Sequence, residues 1–155
     1  MSAIIDTDRI ERSIHIKGTR ERVWRALTSA DEFGAWFGAD LSGQAFVPGQ
    51  RVRGRMTIPG CEHMFFDAVT HRIEPQERMS FHWHPYSGEP EPDYASEEPT
   101  LVSFTLQDAA GGGILLTVVE SGFDRIPASR RRAAFQSHEG GWDIQLKNVA
   151  RHAGG

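Results

Sequence analysis

The residue best placed for chemistry is Glu120. It ends an alternation with Leu116 and Val118, so on a strand its carboxylate shares a face with two apolar side chains. A charge buried that way is costly unless it is paired, protonated or put to use. Glu120 is therefore a candidate polar anchor or acid–base group in an apolar cleft. The alternative is a frayed strand end that lets it reach solvent. Asp67 shares its own parity with Phe65 and Val69 and is a weaker candidate of the same kind.

Other groups carry less. His82 and His84 stand two apart on one strand face, with His63 or His71 as a conceivable third zinc ligand. That pair lies opposite Phe81 and Trp83, on the face turned to solvent, so no metal is expected. Arg51, Arg53 and Arg55 form a basic stripe, read as a solvated face answered by cross-strand acids. Cys61 sits in a turn near His63, and so short a spacing does not secure a nucleophile–base geometry. It is read as a free thiol, and no catalytic residue is assigned.

These groups need elements to hold them. Ile10, Ile14 and Ile16 alternate with polar neighbours, as on a strand. Gly18-Thr19 stops it, and Thr19 caps a helix from Arg20 to Thr28 carrying Val23, Trp24 and Leu27. Ser29 caps a shorter helix, Asp31 to Phe37, whose Phe33, Trp36 and Phe37 must pack on a core or line a pocket. A strand through Val52, Gly54, Met56 and Ile58 ends at Pro59-Gly60. Strands at Met64 to Ile73, at Met79, Phe81 and Trp83, at Val102, Phe104 and Leu106, and at Leu116 to Glu120 follow with short connections. That succession implies an antiparallel meander. A helix beginning near Pro127 carries Phe135, Trp142, Leu146 and Val149 at helical spacings. Arg130, Arg131 and Arg132 stand at the wrong end for the helix dipole and are expected exposed and paired with acids. Gly140-Gly141 costs about 1 kcal/mol per glycine inside a helix. The expected gain is close approach to the sheet beside Trp142. Between Pro85 and Pro99 four prolines and five acids make a loop of the length seen in lids.

Composition bounds the rest. The chain has 155 residues, 39% hydrophobic and 25% charged, enough for one domain with a single core. Its net charge of −4 argues against nucleic acid. One cysteine excludes an internal disulfide and a cysteine-held iron–sulfur cluster, and suits a reducing cytoplasm. No apolar run reaches membrane-spanning length, and the polar start, Met1 to Arg9, lacks the core of a signal peptide. A cytoplasmic protein is expected.

Thr19-Arg-Glu-Arg-Val-Trp-Arg-Ala-Leu-Thr28, Phe33-Gly-Ala-Trp-Phe37, Glu120-Ser-Gly-Phe123 and the Gly-Gly-Trp at 140–142 together resemble the activator of heat shock protein 90 ATPase homologues. These belong to the START-like (Bet v-like, SRPBCC) superfamily. The stretch Phe81-His-Trp-His-Pro-Tyr86 resembles a bacterial subgroup sometimes labelled vanillate demethylase oxidoreductase. No dinucleotide glycine fingerprint follows a strand here, however, and no cofactor is expected. The resemblance implies an α+β helix-grip fold. A curved antiparallel sheet of about six or seven strands would wrap a long C-terminal helix, with two short helices after the first strand. It further implies a ligand cavity between sheet and helix. Its candidate lining is Trp36, Phe37, Met56, Phe65, Asp67, Phe81, Trp83, Phe104, Glu120, Trp142 and Leu146. The expected occupant is an apolar small molecule, bound by a monomer or homodimer. Two alternatives remain: a cyclase- or hydrolase-like use of the same cavity, and a protein-interaction role with a chaperone as partner.

Overall fold

In the computed structural model, residues 7–84 and 98–154 are described. The expected loop from Pro85 to Pro99 lies outside the described residues except at its end. Six strands form one antiparallel sheet: β1 (Arg9–Ile16), β2 (Arg51–Arg55), β3 (Phe65–Glu74), β4 (Arg78–Trp83), β5 (Thr100–Asp108) and β6 (Ile114–Ser121). Their order is β1-β6-β5-β4-β3-β2. β2 to β6 are thus the expected meander, and β1 closes against β6. Helices α1 (Arg20–Thr28) and α2 (Ala30–Phe37) follow β1, and α3 (Ala128–Gly154) ends the chain. This is the helix-grip arrangement.

The caps act as the sequence suggests. The Thr19 hydroxyl accepts from the Arg22 amide at 3.1 Å. Ser29 closes α1 through its own amide and caps α2 through its hydroxyl, so one residue turns the chain between two helices. α2 ends on Gly38 at φ 98°, a conformation glycine adopts without strain. That tight ending buries Phe33, whose ring lies 4.6–6.4 Å from those of Trp36, Phe37, Phe46, Phe66, Phe81 and Phe104. Phe33 is the hub of the aromatic core.

Several expectations are corrected. β2 stops at Arg55, and Met56 keeps only an isolated bridge to Ala39. On β3 the buried residues are Phe66, Ala68 and Thr70, while Phe65 and Asp67 face away from α3. Both parities of this strand carry a Phe and an aliphatic residue, so alternation alone could not choose. Pairing chooses, because Val52 aligns with Ala68 and Gly54 with Phe66. Phe65 is 41% exposed beneath the Arg53 guanidinium, which lies 4.0 Å from its ring centroid, and Asp67 pairs with Arg51 and Arg53. Phe65 and Asp67 therefore leave the cavity set, and the arginine stripe is the solvated, paired face expected of it. Lastly, Arg130 is buried on the same stripe of α3 as Ala134, rather than exposed.

α3 covers the sheet with Ala134, Trp142, Leu146, Val149 and Ala153 buried. Arg12 on β1 ties it down through Glu139 and Asp143, at 3.3 and 3.0 Å. The reason expected for Gly140-Gly141 does not hold, because a Cβ on either glycine would meet nothing within 4 Å. Neither glycine is needed for approach to the sheet. Glycine is required instead at Gly54, whose added Cβ would fall 1.8 Å from the Asp40 carbonyl oxygen, and at Gly34, where it would fall 2.3 Å from that of Ala39.

Two opposite outcomes follow for thermal unfolding. Gly140→Ala and Gly141→Ala each stabilise the protein by about 0.5–1 kcal/mol and raise the midpoint. Gly54→Ala lowers stability by about 1–3 kcal/mol, because backbone must move to admit one methyl group.

Candidate functional site: a buried carboxylate under the C-terminal helix

β6 buries Ile114, Leu116, Val118 and Glu120 in strict alternation. Glu120 is 0% exposed, so the chain does carry a carboxylate into the interior, between Ile10 on β1 and Val102 on β5. Four side chains meet it. Oε2 accepts from the Trp83 indole Nε1 at 2.7 Å and from the Thr100 hydroxyl at 2.6 Å. Oε1 accepts from the Trp142 indole Nε1 at 2.9 Å and lies 2.6 Å from His138 Nδ1. An ionised carboxylate only accepts, so the hydrogen of that last bond resides on Nδ1.

The fold delivers each donor separately. Trp83 is the last residue of β4 and Thr100 the first of β5, and the two are paired in register. His138 and Trp142 stand four apart on α3, hence on one face one turn apart. The Trp83 and Trp142 rings stack at 5.8 Å and 27°. His138 sits edge-on to Trp83 at 5.4 Å and to Phe123 at 5.9 Å.

Electrostatics follow from this geometry. Burial pushes the Glu120 pKa up. The attraction of the His138 ring and the hydrogen bonds from His138, Thr100 and Trp83 outweigh that, and the group titrates below its ordinary 4.5. Glu120 is therefore an ionised acceptor at neutral pH. One register row extends from it across the inner face of the sheet, through Val102 and Phe81 to Thr70. At the end of that row the Thr70 hydroxyl is buried with no hydrogen-bond partner.

Of the predicted lining, Phe81, Trp83, Phe104, Glu120 and Trp142 converge here, with ring separations of 5.2–6.2 Å joining the aromatics. Trp36 and Phe37 belong to the Phe33 cluster next to it, and Leu146 is buried one turn beyond Trp142. Met56 lies at the core's margin. His138 was not foreseen. Its only signal was the four-residue spacing to Trp142, which needs the Glu120 partner before it means anything. His82 lies on the outer face against His71, 4.8 Å between ring centroids, and burial lowers its pKa ahead of the nearby charges of His71 and Arg125. Among the described residues no three His, Cys, Asp or Glu side chains gather as a metal set. Two open hollows lie away from Glu120. One of about 300 Å³ is lined by Trp36, Asn148 and His152, and one of about 370 Å³ lies beside Gly111–Gly113.

Residues 17–154 match the family model described as Activator of Hsp90 ATPase homolog 1-like protein. The chain belongs to this family. No curated protein matches it significantly. Solved structures share the fold of this family member. A Mesorhizobium loti protein has a TM-score of 0.70 at 21% identity, covering 93% of this chain and 95% of its own. The Aha1 dimer from Colwellia psychrerythraea gives 0.67 at 20% identity, covering 94% and 96%. DynU16, a protein of the dynemicin biosynthetic locus, gives 0.68 at 22% identity over 93% of this chain. This chain spans 46% of DynU16. No helix among the described residues is long and apolar enough to cross a membrane.

Removing the Glu120 charge should unfasten α3. Glu120→Gln places an amide N–H₂ against donors that need an acceptor and destabilises the protein by roughly 3–5 kcal/mol in urea titrations. The acid limb carries the sign. The folded pKa lies below the unfolded 4.5, so this stability is complete above about that pH and is lost as pH falls through the lower folded value. Wild-type stability drops over that window. Glu120→Gln flattens its contribution there, and an unchanged slope would contradict the assignment.

Proposed function

We propose that the protein binds an apolar small molecule between the sheet and the C-terminal helix, with the Glu120 network as the polar end of its site. One observation carries this reading. A fully buried carboxylate is held ionised by four donors from β4, β5 and α3, at the end of the sheet where Trp83, Phe135 and His138 stay partly open. An apolar wall with a few convergent polar groups is the usual chemistry of a small-molecule site.

The interior around Phe33 is filled by rings. The ligand therefore enters at the Trp83–His138 end. DynU16, which shares the fold, comes from a biosynthetic locus, a setting compatible with small-molecule handling. The lowered Glu120 pKa argues against a cyclase- or hydrolase-like role for it as proton donor, since a group ionised at neutral pH has no proton to give.

Native mass spectrometry of the protein purified from its own host tests the proposal. The expected result is a retained organic ligand at one per chain. Trp142→Ala removes that ligand and lowers stability by about 3–5 kcal/mol. A chain that carries nothing from its host and gains nothing from a panel of apolar metabolites would refute it.

A further inference from the structure

His138 does more than complete the acceptor shell of Glu120. Its Nδ1 is committed to Glu120 Oε1 at 2.6 Å. That bond fixes which nitrogen holds the hydrogen of the neutral ring, and leaves Nε2 with its lone pair facing away from the carboxylate. Among the described residues no hydrogen bond reaches Nε2, and the side chain keeps 14% exposure. The groups around the ring are aromatic. Trp83 and Phe123 hold its edges, and Phe135 packs on Phe123 at 5.1 Å. An acceptor open at the rim, oriented by a buried anion and set among aromatic rings, is matched by one hydroxyl on a flat apolar molecule.

We propose that His138 Nε2 is the recognition atom of this site and that it accepts a hydrogen bond from the hydroxyl of a phenol-class aromatic ligand, with Glu120 as the positioning residue. The inference rests on the ligand-binding reading above and narrows its ligand. The rim supplies ring-edge contacts to an aromatic face. The carboxylate behind the ring makes Nε2 a stronger acceptor, as in other carboxylate–histidine pairs. A ligand of the same shape without the O–H leaves Nε2 unsatisfied beneath it and binds more weakly.

β-Naphthol and its methyl ether are the probes. Quenching of tryptophan emission, with Trp83 and Trp142 at the site, follows binding. The hydroxyl compound binds wild type roughly fivefold to tenfold tighter than the ether, the worth of one partly shielded hydrogen bond. His138→Phe keeps a ring of similar size and abolishes the preference while still binding both. Nitrogen NMR of histidine-labelled wild type gives a readout independent of any variant's folding. The Nε2 resonance shifts with β-naphthol but not with the ether. Equal affinity for the two probes, or an Nε2 signal unmoved at saturation, overturns this inference alone. Failure of both probes to bind, with no ligand retained from the host, overturns it together with the binding reading.

Discussion

The structure turns on the burial of one negative charge. Taking a carboxylate out of water costs several kcal/mol even after relaxation, and the cost is offset only where every acceptor position is met. Glu120 can sit at 0% exposure because four donors reach it. Two of them belong to α3. The helix therefore cannot lift, rotate or shift by a turn without leaving an unpaired charge in the interior. Apolar packing would let α3 slide over the sheet among near-equivalent positions. Hydrogen bonds to a fixed carboxylate select one.

That selection explains why the long helix needs little help elsewhere. Gly140 and Gly141 weaken it in the middle without granting a closer approach, and the structure gives no physical account of them. They nonetheless lie between His138 and Trp142, the two residues that grip Glu120. The helix is thus pinned on both sides of its glycine pair. Arg12, reaching Glu139 and Asp143 from β1, adds a partly exposed clamp across the same turn. Exposed ion pairs contribute little individually, so the buried network sets the position and the surface pairs follow it.

Much of this was legible in the residues. The capping positions of Thr19 and Ser29, the meander and the inward carboxylate of Glu120 follow from local spacing, and the helix-grip arrangement from the family resemblance. Each rests on neighbours a few residues away or on motifs that survive as a set. The errors share the opposite cause. β3 has apolar residues on both parities, so the facing of Phe65 and Asp67 was decided by register with β2, a relation between segments that no window contains. Arg130 looked like a surface cation by type, but its helical phase with Ala134 turned it inward. His138 was silent because a histidine on a helix acquires meaning only from the side chain that the fold sets against it.

The choice of donors carries a further consequence. Two of the four are indole N–H groups, which donate but do not accept and bring no charge of their own. Their bodies are large and apolar, so Trp83 and Trp142 fill core volume with carbon and spend only a tip on the carboxylate. Serine or asparagine in their place would satisfy Glu120 while opening space that water would occupy. With tryptophan and threonine neutral, the one ionisable donor to Glu120 among the described residues is His138, the donor nearest the rim. The polar line at this end of α3 therefore runs from Glu120 to His138.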